Sequence, residues 1–229
     1  MFPYTKELHD RLKFRFPGDE KIEKNYSQAF QDLFVLAALR GKKYGYFLEI
    51  GAFHPHYLSN TYLLESEFEW GGLSVDIKPD LVQDFTLYRK CNFMLGNALE
   101  LNWDSILPRY FGERIDYLSL DIEPNTQTLD CLKKLPLDKF RFSVITYETD
   151  FYDPYTDYSK NFAVRRESRE IFAKNGYTLV AGNLSNLDDN HPYEDWYFDK
   201  EYFSENYITD FMRWDQSPWA AHKYMLKEG

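Results

Sequence analysis

Near the N-terminus, "SQAFQDLFVLAALRGKK" repeats its apolar residues at helical spacing, with Ala29, Phe30, Leu33, Phe34, Ala37 and Ala38 on one face. The pattern predicts an amphipathic helix capped by Ser27 and stopped at Gly41. Beyond it the period changes. Short apolar runs follow: "YFLEI" (46–50), "GGLSVDI" (71–77), "NFMLGNA" (92–98), "DYLSLDI" (116–122), "FRFSVITYE" (140–148) and "YTLVAGN" (177–183). Between them, helical patterns cover 59–66, 79–88, 104–111, 126–135 and 164–175. Strands alternating with helices imply an α/β fold, a largely parallel sheet with helices on both faces. Residues 1–24 are polar and irregular, a leader laid over the domain; 25–229 read as a single domain, without repeat or low-complexity linker. The last part, "NHPYEDWYFDKEYFSENYITDFMRWDQSPWAAHKYM", is aromatic and acidic. It is expected to cross the end of the sheet as a further strand and helices.

Composition narrows the function classes. A net charge of −10 over 229 residues, with a pI near 5.0, argues against nucleic acid or an anionic membrane as the main partner. No apolar run approaches the ~20 residues of a membrane helix, and the charged N-terminus lacks the apolar core of a signal peptide. Cys91 and Cys131 stand in no metal-type spacing, so free thiols in a reducing cytoplasm are expected. The 19 Tyr and 19 Phe suit a core built on rings better than a ring-lined site.

Ligands of open α/β sheets bind beyond the carboxyl ends of the strands, and acidic residues stand at those ends here. Glu49 closes the first strand beside Gly51, and Asp76 closes the second. Asp121 and Glu123 follow the fourth, Glu148 and Asp150 the fifth. Asp76, one strand tip after Glu49, is where a carboxylate meets both ribose hydroxyls of an adenosine cofactor. Asn97 and Ala98, in "GNA", would bring an amide and a small residue to the adenine edge; an ordinary turn role is equally open to Asn97. The first turn has one glycine where a dinucleotide fingerprint has three, and His54-Pro55 replace the later ones. A pyrophosphate is therefore disfavoured, and with it a nicotinamide dehydrogenase. A nucleoside without phosphates, S-adenosylmethionine, is favoured, with Glu49 helping to accept its ammonium group.

Several segments together, "YSQAFQDLFVL", "FLEIGAFHPHYLSNTYLLE", "WGGLSVDIKPD", "IDYLSLDIEPNTQTLDCL", "FSVITYETDFY" and "YEDWYFD", resemble FkbM-type S-adenosylmethionine-dependent methyltransferases, over residues 26–199. The resemblance implies a class I methyltransferase (Rossmann-like) fold: a seven-stranded, mostly parallel sheet whose last hairpin holds one antiparallel strand. It implies that Glu49, Gly51 and Ala52 form the cofactor turn, with Ser59, Asn60 and Thr61 opening the next helix. It places Asp76 on the ribose, Asn97 and Ala98 near adenine, and Gln28 and Asp32 over the cofactor. The expected activity is O-methylation of a sugar or other hydroxylated small molecule. This chain departs from the family in carrying Glu123-Pro124 where many relatives carry Glu-Gly, which motivates the alternative of a catalytically inactive, methyltransferase-like binding module.

A hydroxyl acceptor needs a base or a metal. Asp121, Glu148 and Asp150 could hold one Mg²⁺ as an optional second cofactor; otherwise one of them, or His54, or next His191, is the base. Tyr193, Trp196 and Tyr197 would border the acceptor or pack in the core. The expected partner is a small-molecule or glycan acceptor, with neither nucleic acid nor membrane.

Overall fold

Phe47, Leu48 and Ile50 are buried in a strand, β1 (Tyr46–Ile50), that alternates its side chains between two faces of a sheet. The computed structural model describes residues 3–151, 158–186, 191–215 and 217–228. The other strands are β2 (Gly71–Asp76), β3 (Asn92–Leu95), β4 (Arg114–Leu120), β5 (Arg141–Glu148), β6 (Tyr177–Ser185), β7 (Glu194–Asp199) and β8 (Trp219–Ala220). They form one sheet in the order β3-β2-β1-β4-β5-β7-β6-β8. Only β7 runs antiparallel to its neighbours among these strands. The first seven strands have the topology of the class I methyltransferase fold; β8 adds two residues to the β6 edge.

The helices are α1 (Gln31–Ala38), α2 (Tyr62–Phe68), α3 (Leu81–Tyr88), α4 (Trp103–Tyr110), α5 (Asn125–Lys134), α6 (Tyr158–Lys174), α7 (Glu205–Phe211) and α8 (Ala221–Met225). One face of the sheet, carrying Phe47, Tyr117, Val144 and Trp196, is covered by α1, α2, α7 and α8. The other, carrying Leu48, Leu118, Ile145 and Tyr197, is covered by α4, α5 and α6. The leader joins the first of these cores: Tyr4, Leu12, Phe16 and Ile22 are buried in it, and Leu12 bridges to Leu226.

Ser27 is not in the N-cap position of α1, but its hydroxyl accepts the amide of Asp32, the second helical residue, at 3.3 Å. Phe30 precedes the helix in the left-handed region (φ 68°), which delays its start to Gln31, and the Ser27 hydroxyl in turn donates to the Asp32 carboxylate at 2.6 Å. At the other end the expected stop is present: the Gly41 amide reaches the Leu36 carbonyl at 2.8 Å and that of Arg40 reaches Ala37 at 3.1 Å, a Schellman closure. The run 92–98 is a strand only to Leu95, because Gly96–Ala98 turn toward α4. Among the described residues no helix is long and apolar enough to cross a membrane.

Candidate functional site

The strand order reverses between β1 and β4, so the loops beyond β1 and β4 diverge to opposite faces and leave a crevice. A cleft of about 470 Å³ lies there. Of the residues expected at the site, Gln28, Glu49, Gly51, Ala52, Asn60, Asp76, Asn97, Ala98, Asp121 and Glu148 line it together.

Gly51 is required by geometry. It has φ +89°, and a Cβ there would collide with the Asp121 carbonyl. The same crossing ties the three strand ends: Gly51 donates to Val75 at 2.9 Å, and Asp121 donates to Ile50 at 3.0 Å. At the tip of β2, one Asp76 oxygen accepts the Phe53 amide at 3.0 Å and the other the Lys78 amide at 2.9 Å. Two amides thus fix the carboxylate at the cleft wall, one to each oxygen.

Glu49 is buried between two serines. In the sheet register it pairs with Ser74 of β2 and Ser119 of β4, and Ser74 donates to its carboxylate at 2.7 Å. Burial pushes the Glu49 carboxyl above its ordinary range, and the Arg89 guanidinium with Ser74 and Thr61 partly offsets this. Asn60 donates to Ser119 at 2.9 Å, while its amide oxygen, buried at the cleft wall, has no partner.

Beyond β4 and β5, Asp121 and Glu148 share a side-chain hydrogen bond. Burial raises both carboxyls; Asp121 and the charges of Asp150 and Glu194 raise Glu148 well above its ordinary value, while the Glu148 hydrogen bond restrains Asp121. Like carboxyls in contact oppose each other's ionisation, and of the two it is Glu148 that burial and its neighbours raise the further. The two supporting loops are joined by Asn125, whose amide donates to the Thr149 carbonyl at 3.0 Å and to Asn161 at 2.9 Å.

Five expected residues do not line the cleft. Asp32 is a fastener: its carboxylate accepts from the amides of Tyr26 (2.7 Å), Ser27 (3.1 Å) and Leu33 (2.8 Å), shaping the loop that carries Gln28. Ser59 and Thr61 accept from Arg89, at 3.4 and 2.9 Å. His54 uses Nδ1 to accept the amides of His56 (3.1 Å) and Tyr57 (2.9 Å), closing its own turn. Asp150 (φ 45°) stands outside the lining. The expected Asp121–Glu148–Asp150 metal trio is therefore not assembled. Among the described residues no three His, Cys, Asp or Glu side chains converge as a metal site, and the donor set does not fit Mg²⁺. His191 is exposed. Tyr193, Trp196 and Tyr197 are core residues, at most 3% exposed, with Trp196 stacked on Phe34 at 4.3 Å. Asn97 lines the cleft, yet its amide oxygen serves the turn by accepting from Leu99 at 3.0 Å.

No protein-family model matches the chain, and no curated protein does. Solved structures do. A DUF574 family protein from Streptomyces avermitilis aligns at 15% identity and a TM-score of 0.50, over 74% of this chain and 81% of that one. A SAM-dependent methyltransferase from Aquifex aeolicus aligns at 12% identity and TM-score 0.46, over 75% and 89% of the two chains. Aeropyrum pernix fibrillarin, crystallised with natively bound S-adenosyl-L-methionine, aligns at 15% and 0.46, over 68% and 67%. What is shared is the fold.

Two groups at the site escape sequence reading. Arg89, its side chain fully buried, donates to Glu65 (3.1 Å), the Pro55 carbonyl (3.0 Å) and Thr61, and so braces the β1–α2 turn from behind. Glu194 accepts from Gln31 at 2.9 Å and from the Trp196 indole at 2.6 Å. The Glu194 carboxyl is pushed up to about 8 by burial, with Asp121 and Asp195 adding to the rise and its two donors opposing it. Its partner Gln31 lies 163 residues away, and no local pattern marks the pair.

Proposed function

We propose that the protein is an S-adenosylmethionine-dependent methyltransferase that methylates a hydroxyl of a sugar or other hydroxylated small molecule, working in the cytoplasm as a single domain. The observation that carries the reading is Asp76: a carboxylate at the tip of β2, fixed by two amides and facing a nucleoside-sized cleft. The residues suit such a cofactor. Asp76 is the acceptor for ribose hydroxyls, and the unpartnered Asn60 oxygen beside Glu49 asks for a donor such as an ammonium group.

When bound, S-adenosylmethionine supplies an electrophilic methyl on a sulfonium. The chain's own task is to hold an acceptor oxygen in line and to take its proton. Asp121 is the proton acceptor: Glu148, protonated, donates to one Asp121 oxygen and leaves the other ionised. A cofactor held by Asp76 and Asn60 would supply the methyl group, and Asp121 would take the proton of the acceptor hydroxyl. An inactive binding module would not need this pair in the same cleft as Asp76, and both of its members line that cleft. Glu123 lines it as well, so the Glu123-Pro124 departure keeps an acid there.

Titration calorimetry with S-adenosylmethionine, S-adenosylhomocysteine and NADH tests the cofactor. Binding of the two sulfur nucleosides alone is expected, and Asp76→Ala should weaken it by about 1–3 kcal/mol. Binding by NADH alone, or unchanged affinity in the variant, would remove the reading or the role.

A further inference from the structure

Behind the two carboxyls that line the cleft and serve the reaction outlined above stands a third buried one, Glu194. In the antiparallel β5–β7 register Glu194 stands directly opposite Glu148, so both side chains project to the α1 face of the sheet. From that face α1 sends Gln31, whose amide donates to one Glu194 oxygen; the Trp196 indole donates to the other. Both donors favour the ionised carboxylate. Glu194 does not line the cleft and is 1% exposed, so it meets neither acceptor nor water. A buried acid with two dedicated donors, set against a second buried acid, has a charge-directing geometry.

The groups that act on Glu148 are Asp121 from the end of β4, Asp150 from the end of its own strand and Glu194 from β7, while Glu123 acts on Asp121. Glu194 itself feels the charge of Asp121 and, from the opposite face of its own strand, that of Asp195, which is ion-paired with Arg169 at 2.7 Å. α1 and the loop before it contribute the neutral amides of Gln31 and Gln28. As the pH rises, the cluster loses its protons one at a time, because each new charge opposes the next. Asp121 ionises first, aided by the Glu148 hydrogen bond. The two nitrogen donors then direct the second charge to Glu194 rather than to Glu148.

We propose that Glu194 is a positioning residue that takes the second negative charge of the cluster and so keeps the proton on Glu148, leaving Asp121 as the ionised partner that faces the acceptor. The inference rests on the assignment of Asp121 and Glu148 as the proton-handling pair, and it concerns how that pair is held. It also explains why Gln31, in the loop-and-helix segment that carries Gln28 to the cleft, reaches past the site to β7.

The test is a carboxyl ¹³C NMR titration of the full, unliganded chain, with Asp121, Glu148 and Glu194 resonances assigned by substitution. In the native protein Glu194 should ionise before Glu148. In Glu194→Gln the Glu148 resonance should titrate at lower pH, because the charge that opposed its ionisation is gone. Gln31→Ala keeps the carboxyl and removes one donor; it should move the Glu194 titration to higher pH, and it serves alone if Glu194→Gln does not fold. An unchanged Glu148 titration in a folded Glu194→Gln, or an unchanged Glu194 titration in Gln31→Ala, overturns the proposal. The same variants are loaded with S-adenosylmethionine in the calorimeter. Intact NMR shifts with no cofactor binding would sink the methyltransferase reading and leave the carboxyl arrangement standing.

Discussion

Arg89 shows at the residue scale how the β1–α2 turn is held. Its guanidinium is out of reach of water, serves four acceptors and lies within 5.3–5.9 Å of the rings of Phe85, Tyr62 and Phe47. Around it lie two buried acids: Glu65, which also accepts the amides of Lys90 (3.0 Å) and Cys91 (2.8 Å), and Glu49. Removing the cation while leaving the acids strands buried negative charge, so Arg89→Met should cost about 3–5 kcal/mol of folding stability. Urea denaturation at neutral pH reads this directly. A loss under about 1 kcal/mol, the scale of an exposed ion pair, would mean that the arginine is solvated and does not brace the turn. Arg89→Lys should recover only part of the loss, since one ammonium cannot span acceptors on the β1–α2 turn and on α2 together.

At the scale of elements, Leu12 decides what the leader is. Its sequence reads as a polar segment laid over the domain, because Tyr4, Leu12, Phe16 and Ile22 stand apart among mostly charged and polar residues and form no run like those of the strands. In the fold they enter the same core as Phe34 and Phe211, and Leu12 is fully buried against the C-terminal segment. Leu12→Ala should therefore cost about 2–5 kcal/mol, measured by chemical denaturation; a superficial leader would lose only a few tenths. The contrast marks what the sequence makes legible. Strands β1 to β6 are readable because each is an apolar run with a polar break, and Asp76 and Glu49 are readable because strand ends are. The start of α1 is not, since the left-handed turn at Phe30 follows from the Asp32 hydrogen bonds and not from propensity. Glu194 and Arg89 are not either, because their partners come together only through sheet register and helix packing. The expected Mg²⁺ trio fails for a related reason: adjacency of strand ends does not fix side-chain direction, and Asp121 turns to Glu148 while Asp150 leaves the lining.

Over the whole molecule, two sets of acids set the pH dependence of stability in opposite directions. For Asp19 and Asp199 burial alone would raise the carboxyl, but Arg15 bonded to the first, and Arg141 and Arg114 bonded to the second, outweigh it and hold both below 3.8. Their stabilisation is present above 3.8 and is lost as the pH falls through the lowered folded values. The buried cleft acids act the other way. Glu194 is raised from 4.5 to about 8 by burial, so the folded state binds its proton more tightly than the unfolded chain does. Its contribution is complete below 4.5, declines as the pH rises, and is gone once the pH has passed about 8. Asp32, Glu49, Asp121 and Glu148, all raised by burial first, add to the decline in the same sense. Thermal midpoints measured from mildly acidic to mildly alkaline pH should therefore fall across that window. In Glu194→Gln the fall should be shallower, because one of the groups that must give up a proton in a buried place is gone. A midpoint that rises over the same window, or a slope unaffected by the substitution, would show that these acids are solvated in the folded protein, and the single proton assigned to the Asp121–Glu148 pair would have to be given up with them.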